Sequence, residues 1–125
     1  MPAPSFHHVV LFFRDVPRAR AWYERVGFRH LRGQHGMEWF ALGEGPGAGE
    51  VMLHPTDAPT PGDTVIHARV DDVDALFRHV VSQGLVPADH QRPEAVLSEP
   101  VVRPWGAREF ELDDPEGHRW AFTQA

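Results

Sequence analysis

Two stretches of this chain are copies of one plan: HHVVLFFRDVPRARAWYERVGF, residues 7–28, and VIHARVDDVDALFRHVVSQGL, residues 65–85. At a constant offset of 57, Phe13 falls over Val70, Asp15 over Asp72, Val16 over Val73 and Gly27 over Gly84. Each copy starts with a period-two apolar run, Val9-Leu11-Phe13 and Ile66-Ala68-Val70, which is the mark of a strand with one buried face. An Asp follows, able to accept hydrogen bonds from the free amides of a first helical turn. Val16, Ala19, Trp22, Tyr23 and Val26 then share one helical face, as do Val73, Leu76, Phe77 and Val80. Pro17 sits where a missing donor costs little, and Gly27 and Gly84 suit the left-handed residue that ends a helix.

Further short strands are expected behind each helix. In the first copy they cover 28–31, 38–42 and 50–54; in the second, 86–89, 107–112 and 118–123. Gly33, the Gly-rich run 43–47 and the Pro-rich run 91–104 read as breakers. Asp114-Pro115-Glu116-Gly117 has the Pro and Gly placement of a type I turn between the last two strands. The fold expected is α+β: one domain over 1–125, made of two tandem βαβββ modules (about 5–54 and 64–124) joined by a linker at 55–63. Their strands form a curved mixed sheet, a cup, with the helices on its outer face.

Composition narrows the function. At 125 residues a chain buries roughly two-thirds of its surface on folding, enough for a core without staples. There is no Cys, which excludes disulfides, thiolate metal sites and thiol nucleophiles, and no Lys, which excludes a Schiff base. The net charge of −6 and the scattered Arg argue against nucleic acid as a partner. No apolar run is long enough to span a membrane, and residues 1–8 lack the basic flank and apolar run of a signal peptide, so a cytoplasmic protein is expected.

His8 through Asp15, Trp22-Tyr23, Gly27-Phe28, the run Val70 to Ala75, Trp105-Gly106, Arg108-Glu109-Phe110 and DPEGHRW at 114–120 together resemble the vicinal oxygen chelate superfamily. That group holds glyoxalase I, extradiol dioxygenases and the fosfomycin and bleomycin resistance proteins; the string around Trp105 and 108–117 is most similar to the bleomycin resistance branch. The resemblance implies one divalent ion held from the first and last strand of each module. Carried onto this chain, the ligand positions are His8, Met52, Val65 and Ala121. Two of these carry no donor atom, and a thioether is too soft for hard or borderline ions. No metal cofactor is expected. The rival is a relocated site: His8, Glu50 and His67, with His54 beside them, would face the same side as the inherited positions.

Without a metal, the side chains on that side read as a small-molecule pocket. Phe6, His8, Val10, Phe12, Glu50, Met52, His54, Val65, His67, Arg69, Arg119, Ala121 and Thr123 make an apolar floor with a few polar groups. Trp105 and Trp39 are expected to wall it. Arg69 and Arg119 are expected near Glu50, free for an anionic ligand only if unpaired. The acidic string Glu109-Glu111-Asp113-Asp114-Glu116 reads as a solvated strand face and turn, and His30, His35, His79 and His90 as solvated surface. No catalytic residue is assigned. The expectation is a homodimer binding a small organic ligand, in drug sequestration or resistance by resemblance. A metal-dependent lyase, isomerase or dioxygenase is the alternative.

Overall fold

The computed structural model describes residues 2–125, and these divide into two compact units with the boundary between Pro61 and Gly62. Unit 1 runs β1 (His8–Phe13), α1 (Val16–Val26), β2 (His30–Gln34), β3 (Met37–Leu42) and β4 (Gly49–Pro55). Unit 2 repeats the order with β5 (Val65–Arg69), α2 (Val73–Ser82), β6 (Val101–Val102), β7 (Arg108–Asp113) and β8 (Arg119–Gln124). Each unit holds one four-stranded mixed sheet, β1-β4-β3-β2 in the first and β5-β8-β7-β6 in the second. In each, the first and last strands pair in parallel, which the intervening helix makes possible by carrying the chain back across one face. This is an α+β fold of two tandem βαβββ modules.

The helix signals act as their chemistry dictates. Asp15 Oδ1 accepts from the Arg18 amide at 3.1 Å, and Asp72 Oδ1 from the Ala75 amide at 3.0 Å. The α2 start is further satisfied by the Gln124 side chain, which accepts from the Val73 amide at 2.8 Å. At its end Gly84, with φ +78°, donates to the Val81 carbonyl while Leu85 donates to Val80, closing the last turn.

One face of each sheet meets its helix. In unit 1 Leu11, Phe13, Phe40, Val51 and Leu53 are buried with Val16, Ala19, Trp22, Tyr23 and Val26. The Tyr23 ring is the hub, within ring-contact distance of Phe13, Trp22, Phe28 and Phe40. In unit 2 Phe110, Leu112, Trp120 and Phe122 pack with Val73, Phe77 and Val80, and the Phe77 ring stands perpendicular to Phe110 at 5.4 Å. Period-two alternation sends the remaining side chains to the far face, the one turned from the helix.

Three strand expectations are corrected. Gly33 does not break a strand but lies within β2 opposite Glu38, whose carboxylate folds over it; a Cβ there would lie 2.3 Å from Glu38 Oε2. The turn comes at His35-Gly36, both with positive φ (54° and 80°), the pairing of a tight two-residue hairpin. The strand expected at 86–89 shrinks to one bridge, Ala88 with Glu111. Pro87 has no amide to donate, and Asp89 turns away to meet Arg103. The edge is completed instead by β6, inside the run read as a breaker. The final turn agrees with its sequence: Gly117 donates to the Asp114 carbonyl at 2.9 Å, and Asp114 Oδ1 accepts from the Glu116 and His118 amides.

Candidate functional site

The far face of unit 1 is assembled by register. His8 lies opposite Glu50, Val10 opposite Met52 and Phe12 opposite His54, while β3 sets Trp39 beside Met52 and Ala41 beside Glu50. The Phe12 and His54 rings are 5.3 Å apart, and His54 Nδ1 donates to the Pro55 carbonyl at 2.7 Å. His8 Nδ1 is 2.8 Å from His7 Nδ1, so one ring donates to the other. Phe6, ahead of β1, lays its ring over Gly49, where a Cβ would come within 2.4 Å of it.

Arg32 is the residue on this face that sequence reasoning missed. β2 slips register between His30 and Arg32, so that Arg32 faces Trp39 while His30 faces Phe40. That bulge moves Arg32 to the far face. Its guanidinium stands 4.9 Å over the Trp39 ring and donates from Nη2 to Glu50 Oε1 at 2.9 Å. The hydrogen bond from Arg32, working against burial, holds the Glu50 carboxyl below its ordinary range. The result is a flat apolar strip of Phe12, Met52 and Trp39 edged by imidazoles and one ion pair. It suits contact with a planar or apolar molecule.

On unit 2 the far face carries Val65, His67 and Arg69 from β5, Arg119, Ala121 and Thr123 from β8, and Glu109 and Glu111 from β7. Here the acidic string needs correction. Asp113 is exposed and Glu116 half-buried, but Glu109, Glu111 and Asp114 are 4 %, 2 % and 4 % exposed. What covers the glutamates within the unit is the segment that leaves the sheet at Asp89 and returns at Arg103. Arg103, 5 % exposed, donates from Nε to Glu109 Oε1 at 2.7 Å and from Nη2 to Asp89 Oδ1 at 3.0 Å. Asp89 also accepts from the Gln91 amide. Burial pushes Asp89 and Glu109 up, yet both end below their ordinary range, because the bonds from Arg103, with the Gln91 amide and the Thr123 hydroxyl, outweigh it. The Arg103 guanidinium is raised in turn, first by its bonds to Asp89.

Both glutamates back a histidine. Thr123 Oγ1 donates to Glu109 Oε2 at 2.9 Å and faces His67 Nδ1 at 3.2 Å, so the hydroxyl oxygen is left to accept from that ring. Glu111 Oε1 accepts from the His90 amide at 2.7 Å, and its Oε2 is in contact with His90 Nδ1. His90 is therefore exposed but paired, not merely solvated, and His30 is half-buried with Nε2 at 2.6 Å from Glu38. The ion pairs also differ from expectation. Arg119 donates to Asp113 at 2.9 and 3.2 Å, which leaves neither Arg119 nor Glu50 paired as expected. Arg69 is exposed on β5 opposite Thr123, and Trp105, 70 % exposed, tops the turn between β6 and β7.

The sequence profile of the Glyoxalase/Bleomycin resistance protein/Dioxygenase superfamily matches residues 5–122. The chain belongs to this superfamily. No curated protein sequence matches it. Among solved structures it is similar to a glyoxalase family protein from Bacillus anthracis (21 % identity, TM-score 0.72, 99 % of this chain and 97 % of that one). It is similar also to TioX from Micromonospora sp. ML1 (27 % identity, TM-score 0.69, 97 % and 98 %). A third, lactoylglutathione lyase from Agrobacterium tumefaciens, shares 17 % identity at a TM-score of 0.73 over 100 % and 96 %.

Within the superfamily frame the four positions assigned to a divalent ion can be tested for fit. In unit 1 His8 begins β1 and Met52 lies on β4, both on the far face. In unit 2 Val65 begins β5, and Ala121, fully buried, sits on β8. The donor set is one imidazole, already in contact with His7, and one thioether. It does not fit a hard or borderline cation. Of the relocated trio, His8 and Glu50 face each other across β1 and β4 with Glu50 committed to Arg32, while His67 belongs to unit 2.

Proposed function

We propose that this superfamily member binds a small organic molecule without the divalent ion, as a homodimer, in a sequestration or resistance role. One observation carries the reading: of the four positions where the ion would be gripped, two offer only hydrocarbon and one a thioether. The strip of Phe12, Met52, Trp39 and the Arg32 pair supplies contact surface in place of a reactive centre, with His8, Glu50 and His54 as its polar edge. His67, Arg69, Trp105 and Arg119 are the corresponding candidates in unit 2.

The test is a ligand screen on the full chain, read by thermal shift and Trp fluorescence. A planar apolar compound that raises the midpoint should lose most of its effect in Met52→Asp and Trp39→Ala. Binding that both substitutions leave unchanged would sink the assignment to this strip, and binding that requires an added divalent ion would sink the metal-free reading.

A metal-dependent lyase, isomerase or dioxygenase is the second reading. The observation in its favour is that Asp89, His90 and Glu111 bring donor atoms within 4.8 Å of one another. Against it, the Arg103 guanidinium already supplies Asp89 with a cation, and Glu111 is engaged by His90 through both oxygens.

A further inference from the structure

The Arg32–Glu50 pair stands at the edge of the unit 1 strip with bonding capacity to spare. Arg32 spends one N–H on Glu50 Oε1 at 2.9 Å, and a guanidinium carries several more. Among the described residues no other hydrogen bond reaches the Arg32 side chain, and none reaches Glu50 Oε2. Neither group is sealed in: the Arg32 side chain is 51 % exposed and that of Glu50 25 %. Both are nevertheless held in place. The Trp39 ring lies under the guanidinium at 4.9 Å, and Glu50 sits on β4 between His8 of β1 and Ala41 of β3.

Charge decides what can dock there. Among the strand residues of this face Arg32 is the one guanidinium and Glu50 the one carboxylate, and they neutralise each other. The imidazoles of His8 and His54 are already engaged, with His7 and the Pro55 carbonyl. An anion drawn to Arg32 meets Glu50 beside it, and a cation drawn to Glu50 meets Arg32. A neutral group escapes both penalties if it sets an acceptor against the guanidinium and an N–H against the carboxylate. Arg32 and Glu50 lie one hydrogen bond apart, which suits a C=O and an N–H on neighbouring atoms, the edge of a cyclic amide. Next to them Met52 and Val10 lie opposite each other, with Trp39 alongside, as apolar ground for the ring that carries that edge.

We propose that the ligand of the unit 1 strip is an uncharged planar aromatic lactam, its carbonyl accepting from Arg32 and its ring N–H donating to Glu50 Oε2. The proposal rests on the binding reading above and deepens it. Met52, Trp39 and Phe12 supply contact area, while Arg32 and Glu50 are the residues that select the ligand. No bond is made or broken.

The probes are 2-quinolone, a fused bicyclic lactam, and three bicycles of similar shape. N-methyl-2-quinolone lacks the N–H, quinoline-2-carboxylate is an anion and N-methylquinolinium a cation. Affinities for the full chain at neutral pH are read by protein-observed NMR titration. 2-Quinolone should bind about tenfold tighter than each of the others, and in Arg32→Met that preference should fall to about twofold or less. Equal binding of all four, tighter binding of either ion, or a preference that Arg32→Met leaves intact overturns the proposal, as does no binding by any of them. The ligand series is measured on the native protein, so it stays decisive where the variant fails to fold. Failure of the strip is a separate result. Equal binding that Met52→Asp abolishes removes the lactam preference and keeps the strip, whereas binding that Met52→Asp leaves unchanged removes both.

Discussion

In unit 2 the Arg103 guanidinium joins Asp89 to Glu109. It is buried between two carboxylates, and removing one member of such a group leaves uncompensated charge behind. Arg103→Met should therefore cost about 3 kcal/mol or more in a urea titration at neutral pH. The sign of the pH dependence follows from the same contacts. Asp89 and Glu109 titrate lower when folded than unfolded, so their contribution is complete above the ordinary carboxylate range and disappears as pH falls through the folded values. The penalty of Arg103→Met should accordingly narrow between pH 7 and pH 3, since protonated carboxyls no longer need the guanidinium. A penalty that grows on acidification would contradict the assignment. None of this was legible from Glu109-Glu111-Asp113, where alternating acids beside Phe110 and Leu112 have the pattern of a wet face. Their partners, His90 and Arg103, bound a stretch that follows no period at all.

At the scale of elements, the repeat is almost wholly local chemistry. Asp15 and Asp72 cap their helices as their spacing implies, and Asp15→Ala or Asp72→Ala should each lower stability by about 1 kcal/mol. Gly84→Ala should cost about 1 kcal/mol as well, because a Cβ disfavours the left-handed conformation that the closing turn requires. Chemical denaturation of the three variants checks both figures. Strands were legible where large apolar residues alternate on the helix-facing side, as in β1, β4, β7 and β8. They were not where pairing is only at an edge. β6 has two residues and no alternation to read, and β2 contains a bulge that turns Arg32 to the face opposite that of His30.

For the whole molecule, the metal-free reading predicts substoichiometric Zn, Ni, Mn and Fe in protein purified without a His-tag. EDTA should leave the thermal midpoint unmoved. A full equivalent of ion, lost with a falling midpoint on chelation, would reverse the functional conclusion. Light scattering at micromolar concentration should give twice the chain mass; a monomer mass would remove the homodimer from the proposal. Among the described residues no helix is long and apolar enough to cross a membrane.

The sequence by itself determined the tandem plan, the α+β class, the helix caps, the last turn and the chemical poverty of the inherited metal positions. Each of these depends on residues near one another in the chain, or on what atoms a side chain possesses. Tertiary structure alone decided that Glu109 and Glu111 lie under cover, that Arg32 rather than Arg119 holds Glu50, and that His90 rests on a buried carboxylate. Those facts depend on which segment returns over which strand. Burial of a charge is set by neighbours distant in sequence, and no periodicity along one strand records them.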